Sequence, residues 1–184
     1  NIKSLKSWWL DSLGPQSSYH TRSYRMSLVL YEHLVKIPAL TGLSKPAPYP
    51  HPIPLQSNGF DCGPFVCCYG FAIAQHTDFD VINPGIVRRV CFSLADRNKD
   101  SICQVKGGGP SHVNLLGFLA FDDSYVDLFC SKFIDCRRIL CVSPSIARAF
   151  LCGIVEVIFN HLDFPRLVNC QHIIFPTFFS HNHW

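Results

Sequence analysis

The chain has 184 residues, 48% of them hydrophobic and 16% charged, against the ~25% charged usual in soluble proteins, and its formal charge is +3. That length suits one domain with a sizeable core. So weak and scattered a positive charge does not by itself argue for nucleic acid, since a dedicated binder gathers Lys and Arg on one face. The longest apolar run, residues 139–162, is broken by Arg148 and Glu156, so no membrane-spanning helix is predicted and the chain reads as soluble.

The aromatic stretch at residues 7–14 reads as a short strand closed by a turn at Gly14-Pro15. A helix is predicted over residues 24–35, because Leu28, Tyr31 and Val35 recur at helical spacing with Leu34 beside them, and Pro38 ends it. Pro38, Pro46, Pro48, Pro50, Pro52 and Pro54 then force an extended connector, since so dense a proline series cannot be helical. Ser57-Asn58-Gly59 signals a turn. A helix starts at Cys62, with Asp61 as its N-cap and Pro64 tolerated in the first turn; Phe65, Cys68, Tyr69, Ala72 and Ile73 fall on one face. Residues 86–96 read as a further helix, basic at Arg88 and Arg89.

Past Cys103 the character changes. Gly107-Gly108-Gly109-Pro110 is a break, and the remainder is rich in Phe, Cys, Ile and Leu without a convincing period. Two units are therefore expected: residues 1–103, and a hydrophobic, cysteine-rich tail at 104–184. The ten cysteines suit a reducing compartment. Residues 1–7 are polar and basic and do not read as a secretory leader, and Cys67, Cys68, Cys91, Cys141 and Cys152 sit in apolar runs where a free thiol acts as a small hydrophobe. Cys130, Cys136, Cys141, Cys152, His161, Cys170 and His172 lack any paired C-x-x-C spacing, so no metal or other cofactor is expected.

The stretch that carries chemistry is Gln56-Ser57-Asn58-Gly59-Phe60-Asp61-Cys62-Gly63-Pro64-Phe65-Val66-Cys67. A thiol nucleophile must ionise near neutral pH although its unperturbed pKa is ~8.5, and a helix N-terminus favours the thiolate. Cys62 sits at such a terminus. An acyl-transfer intermediate also needs donors for its oxyanion; the Cys62 N–H is one, and the amide of Gln56, six residues upstream, is another. A single cysteine on an apolar helix is more often packing than catalysis, but this one stands inside a pattern.

That pattern resembles the nucleophile motif of the ubiquitin-like-protein proteases, the SUMO- or sentrin-specific cysteine proteases of the papain-like class. Gln56, Asn58, Gly59, Asp61, Cys62, Gly63, Phe65 and Val66 match it in register. A second island, Trp8-Trp9-Leu10-Asp11-Ser12-Leu13-Gly14, resembles the family's aromatic strand ending in Asp-Ser-Leu or Asp-Ser-Met and Gly. The resemblance implies an α+β, papain-like fold. It makes Cys62 the nucleophile, Asp11 the carboxylate that orients a catalytic histidine, and Gln56 the oxyanion donor. It implies hydrolysis of peptide or isopeptide bonds after the C-terminal glycine of SUMO or a related modifier, a ubiquitin-like protein and its conjugates as partners, and a nuclear or cytoplasmic location without nucleic acid or membrane.

The chain departs from the family at the base. The family's histidine lies on the strand before the aspartate, whereas all nine histidines here, from His20 on, follow Asp11. The reading is therefore a catalytic domain truncated at its N-terminus, with His20, His33 and His51 as the nearest substitutes. Two other classes remain open: a module that binds a ubiquitin-like protein without cleaving it, and an acyltransferase of the same clan.

Overall fold

In the computed structural model the described residues are 1–14, 20–81, 83–97, 123–136, 138–152, 167 and 169–177. They form a mixed α/β structure in which helices predominate and the strands are short, consistent with the α+β class. Strand β1 (Trp8–Trp9) runs parallel to β2 (Ala47–Pro48), pairing Trp8 with Ala47 and Trp9 with Pro48. Helix α1 (His20–Leu34) is followed by a 3-10 turn at Pro38–Leu40, where proline occupies a first-turn position that needs no N–H donor. Helix α2 (Cys62–Gln75) is followed by α3 (Pro84–Arg97).

Helix α2 starts where the sequence predicts, but it is no amphipathic surface helix. Phe65, Cys68, Tyr69 and Ala72 are buried as expected, and so are Cys67 and Gly70 on the other side. A helix buried all round must be covered by several elements. It ends at His76, whose left-handed φ of 53° lets the His76 and Thr77 N–H groups reach back to Ile73 and Ala72. Helix α3 begins two residues before the predicted start, because Asn83 Oδ1 accepts the Ile86 N–H at 3.0 Å and caps it.

Aromatic edges link β1 to α2 across the proline-rich connector. Trp8 meets Tyr49, Tyr49 meets Phe79, and Phe79 meets Tyr69 of α2, with centroids 6.0, 5.1 and 5.6 Å apart. These near-perpendicular pairs place the positive ring edge on a negative face. The Tyr69 hydroxyl also donates to the Pro54 carbonyl, fastening α2 to the connector.

Described elements beyond residue 122 pack against those before residue 98. Helix α4 (Asp123–Phe129) continues into a π-helical turn at Cys130–Ile134; strand β3 (Ile139–Cys141), helix α5 (Pro144–Leu151) and strand β4 (His172–Ile174) follow. Strands β3 and β4 are parallel, pairing Ile139 with His172 and Cys141 with Ile174. Val126, Phe129, Cys130, Ile134 and Ile139 share one core with Cys62, Cys67, Cys68, Val87 and Cys91. Leu140, Val142, Ala147, Leu167 and Cys170 share a second core with Leu34, Ile37 and Leu40. The faces left apolar by α2 and α3 are covered by α4, and an area-proportional burial term favours that closure. Among the described residues no helix is long and apolar enough to cross a membrane.

Gly70 marks the closest approach. A Cβ there would lie 2.5 Å from Ile134 Cδ1, and Ile134 is only 1% exposed, so it has little room to yield. Gly70→Ala should therefore be opposed by overpacking on the scale of ~1–3 kcal/mol, and Ile134→Val, which removes that carbon, should relieve it. Chemical unfolding of the two single variants and the double variant should give a favourable coupling of about 1 kcal/mol; additivity would show that the two elements do not meet.

The shared cores also predict the outcome of limited proteolysis. Residues 62–97 and 123–152 should survive together as co-purifying pieces after the chain is nicked elsewhere, because cleavage favours exposed, weakly bonded backbone. Early loss of residues 123–152 from an intact α2–α3 unit would contradict the packing.

Candidate active site

The two sequence islands that carry the proposed chemistry meet at Ser12 and Gln56, 44 positions apart. The Ser12 hydroxyl donates to Gln56 Oε1, and the Gln56 N–H donates to the Ser12 carbonyl at 2.8 Å. Both residues are buried. Gly14 closes the turn after Asp11 with φ of +73°, its N–H reaching the Asp11 carbonyl, and Leu55 packs where a Cβ would stand. Only glycine combines that φ with so close a neighbour at no steric cost.

Gln56 leads into a turn built on Asn58. Gln56 Nε2 donates to the Asn58 carbonyl, which occupies one of the two amide hydrogens available for an oxyanion. Asn58 Oδ1 accepts the N–H groups of Phe60 and Asp61 at 3.0 and 2.9 Å, an Asx turn that delivers the chain to α2. The first helical bond follows, from the Phe65 N–H to the Asp61 carbonyl at 2.9 Å. Cys62 is the first residue of the helix and is 2% exposed.

Asp61 occupies the N-cap position, but its carboxylate does not cap the helix. The reason is local. The third helical residue is Pro64, which has no N–H to offer a cap. The carboxylate turns outward: Oδ2 accepts Asn58 Nδ2 at 2.7 Å, and Oδ1 accepts Arg88 Nε and Nη2 at 3.0 and 2.7 Å. Arg88 Nη2 donates as well to the Phe60 carbonyl at 2.9 Å, and the guanidinium lies 5.8 Å from the Phe60 ring centroid. Sequence reasoning saw Arg88 only as part of a basic helix. The signal it lacked was the partner, since Asp61 and Arg88 lie 27 positions apart. Ser12, Ser23 and Asn58 are likewise polar anchors that only the contacts reveal.

Asp11 is 7% exposed. Its Oδ2 accepts the Ser23 hydroxyl of α1 at 2.8 Å, and its Oδ1 accepts the Leu13 N–H at 3.0 Å. Among the described residues no histidine bonds to it. Asp11 lines a cavity of about 630 Å³ together with His51, His76, His172 and Tyr69; Cys62 and Gln56 do not line it. His172 stays neutral at pH 7, its pKa pulled down to about 4 first by burial, then by the charges of the N-terminal amine and His76. Of the substitutes read from sequence, His51 is exposed with its ring edge on Tyr49, and His33 is half-buried on α1; the His20 side chain lies outside the described residues. The structure thus joins Asp11 to Gln56 through Ser12 and Gln56 to Cys62 through the Asn58 turn, without joining any of them to a base.

No family model, curated protein or solved structure matches the chain. The site is therefore read from its own chemistry. Among the described residues no three His, Cys, Asp or Glu side chains are arranged to hold a metal ion. His161 lies outside those residues.

The neighbouring thiols are unsuited to attack. Burial raises the Cys68 and Cys91 thiols to about 12, aided at Cys68 by the charge of Asp61 and at Cys91 by Cys130, and burial pushes Cys67 well above the usual range. Cys130 is the exception: hydrogen bonds from the Cys141 and Cys67 thiols hold it below the ordinary value, but it is 3% exposed within the core. Cys62 and Cys68 are each 2% exposed, so neither residue is favoured by overall exposure, and thiolate character is expected to govern their labelling. With iodoacetamide at pH 7.5 and peptide mapping, Cys62 should be modified at least ~10-fold faster than Cys67, Cys68 or Cys91. Faster labelling of Cys68 would remove Cys62 from the nucleophile role.

Proposed function

We propose that the chain is catalytic-domain sequence of a cysteine peptidase of the ubiquitin-like-protein protease type, with a papain-like arrangement around α2. The observation that carries the reading is the Ser12–Gln56 pairing. It brings together the two segments that resemble the family, although nothing in their spacing requires them to touch. The substrate class, peptide or isopeptide bonds after the C-terminal glycine of SUMO or a related modifier, comes from that resemblance.

In this reading the Cys62 sulfur attacks the scissile carbonyl carbon as thiolate. The Cys62 N–H and the remaining amide hydrogen of Gln56 receive the charge that develops on the carbonyl oxygen. Asp11 holds an imidazole that takes the thiol proton and returns it to the leaving amine. The resemblance assigns the imidazole to a strand ahead of Asp11. The bonding of Asp11 by Ser23 and Leu13, with no histidine among its described partners, favours as a second reading a module that binds a ubiquitin-like protein without cleaving it.

A modifier–fluorophore amide distinguishes these readings. Residues 1–184 alone should turn over at least ~10²-fold slower than a version extended N-terminally by a histidine-bearing strand, the low end for loss of a positioned acid or base. Cys62→Ala should abolish the activity of the extended form. Equal, Cys62-dependent turnover by both forms would place the base at His20, His33 or His51. Tight binding of the modifier with no turnover by either form would leave the binding module as the function.

A further inference from the structure

The contacts of Asp61 differ from those of an ordinary N-cap. An N-cap aspartate lends its oxygen to the N–H groups at the second or third helical position. Here the third position is Pro64, and the carboxylate is held outward by Asn58 and Arg88. The consequence concerns charge as well as shape. If released, Asp61 could still turn to the Gly63 N–H at the second position, placing an unneutralised carboxylate beside the first turn. That is the region whose N–H groups and dipole favour an anion on Cys62. The field of Asp61 already reaches into the helix, where it helps to raise the Cys68 thiol.

We propose that Arg88 is a positioning residue for the nucleophile: it holds the Asp61 carboxylate away from the start of α2 and neutralises it. This inference rests on the assignment of Cys62 as nucleophile. Arg88 acts through three hydrogen bonds to two acceptors, two to Asp61 Oδ1 and one to the Phe60 carbonyl, so it grips both the side chain and the backbone of the turn. Asn58 braces the same turn from the opposite side by taking Oδ2 of the carboxylate and the N–H groups of Phe60 and Asp61. Among the described residues, the titratable groups that share a core with Cys62 are Cys67 and Cys68 on α2, Cys91 on α3 and Cys130 after α4, with Tyr125 and Cys141 packed against it, and the charged pair Asp61–Arg88 stands at the turn. The Asp61–Arg88 pair is linked directly to Asn58 and Phe60, which precede Cys62.

The test is the rate of Cys62 alkylation against pH, read by peptide mapping with circular dichroism as the check on folding. In Arg88→Gln the rate at neutral pH should fall roughly 10-fold, and the midpoint of its pH profile should move up by about one unit, the low end of the effect of one uncompensated neighbouring charge. Adding Asp61→Asn to that background should restore the rate and the midpoint. Arg88→Lys, which keeps the charge but not the planar guanidinium, should fall between wild type and Arg88→Gln, and it serves if the Gln variant does not fold. A folded Arg88→Gln or Arg88→Lys that labels like wild type overturns the proposal and leaves the nucleophile assignment standing. Slowing that Asp61→Asn does not rescue also overturns it, since a purely structural strut would behave that way. Wild-type Cys62 labelling no faster than Cys68 would instead remove the nucleophile assignment, and this inference with it.

Discussion

The carboxylate of Asp61 is the junction on which the site depends. It lies at the boundary between an extended, proline-rich connector and a helix that is buried on all sides. One oxygen is satisfied from within the turn by Asn58 and the other from α3 by Arg88. The ion pair is partly exposed, with 16% and 19% of the two side chains accessible, so its contribution to stability is modest and screened by salt. Its structural effect is larger than its energy suggests. Charge-assisted bonds are directional, and the same guanidinium also takes the Phe60 carbonyl, so the direction in which the chain enters α2 is set by three donors on one planar group.

A second junction, buried and neutral, fixes the other flank. Ser12 and Gln56 exchange a backbone and a side-chain hydrogen bond, so separating them would strand polar groups without partners. Asp11, immediately before Ser12, is tied by Ser23 to α1. The proline-rich connector contributes no regular structure beyond the 3-10 turn at Pro38–Leu40 and the two-residue β2. Its prolines cost it ladder donors but reduce the conformational freedom that has to be lost on folding. The aromatic edges of Trp8, Tyr49, Phe79 and Tyr69 hold it against the helix. Stiff connection and polar anchoring together hold the Trp8–Gly14 segment against Gln56, just ahead of α2.

The packing beyond residue 103 changes how the molecule is viewed. A helix as thoroughly apolar as α2 cannot remain half-covered, and the elements that complete its coat come from α4 and the π-helical turn after it. The close passage of Gly70 against Ile134 is the point at which that coat is tightest. The parallel pair β3 and β4 and helix α5 close the second core around Leu34, Ile37 and Leu40. The stability of the candidate site and the packing of the later part of the chain are therefore one problem.

The local grammar of the site was legible in the residues alone. Proline spacing demanded an extended connector, Asn58-Gly59 a turn, and the apolar run after Asp61 a helix beginning at Cys62; each is a short-range steric or hydrogen-bonding preference, and each is found. The later helices and strands escaped because they are only three to eight residues long, too short for a period to stand out. What Asp61 does was decided elsewhere. Its position suited an N-cap, yet Pro64 removed one donor and Arg88, on another helix, supplied better ones. The pairing of Ser12 with Gln56 and the covering of α2 by Val126, Phe129, Cys130, Ile134 and Ile139 belong to the same class. Local sequence determined which residues are candidates for the chemistry and how each turn runs; only the tertiary structure decided which charges and hydroxyls meet, because those contacts join distant stretches whose encounter no local preference encodes.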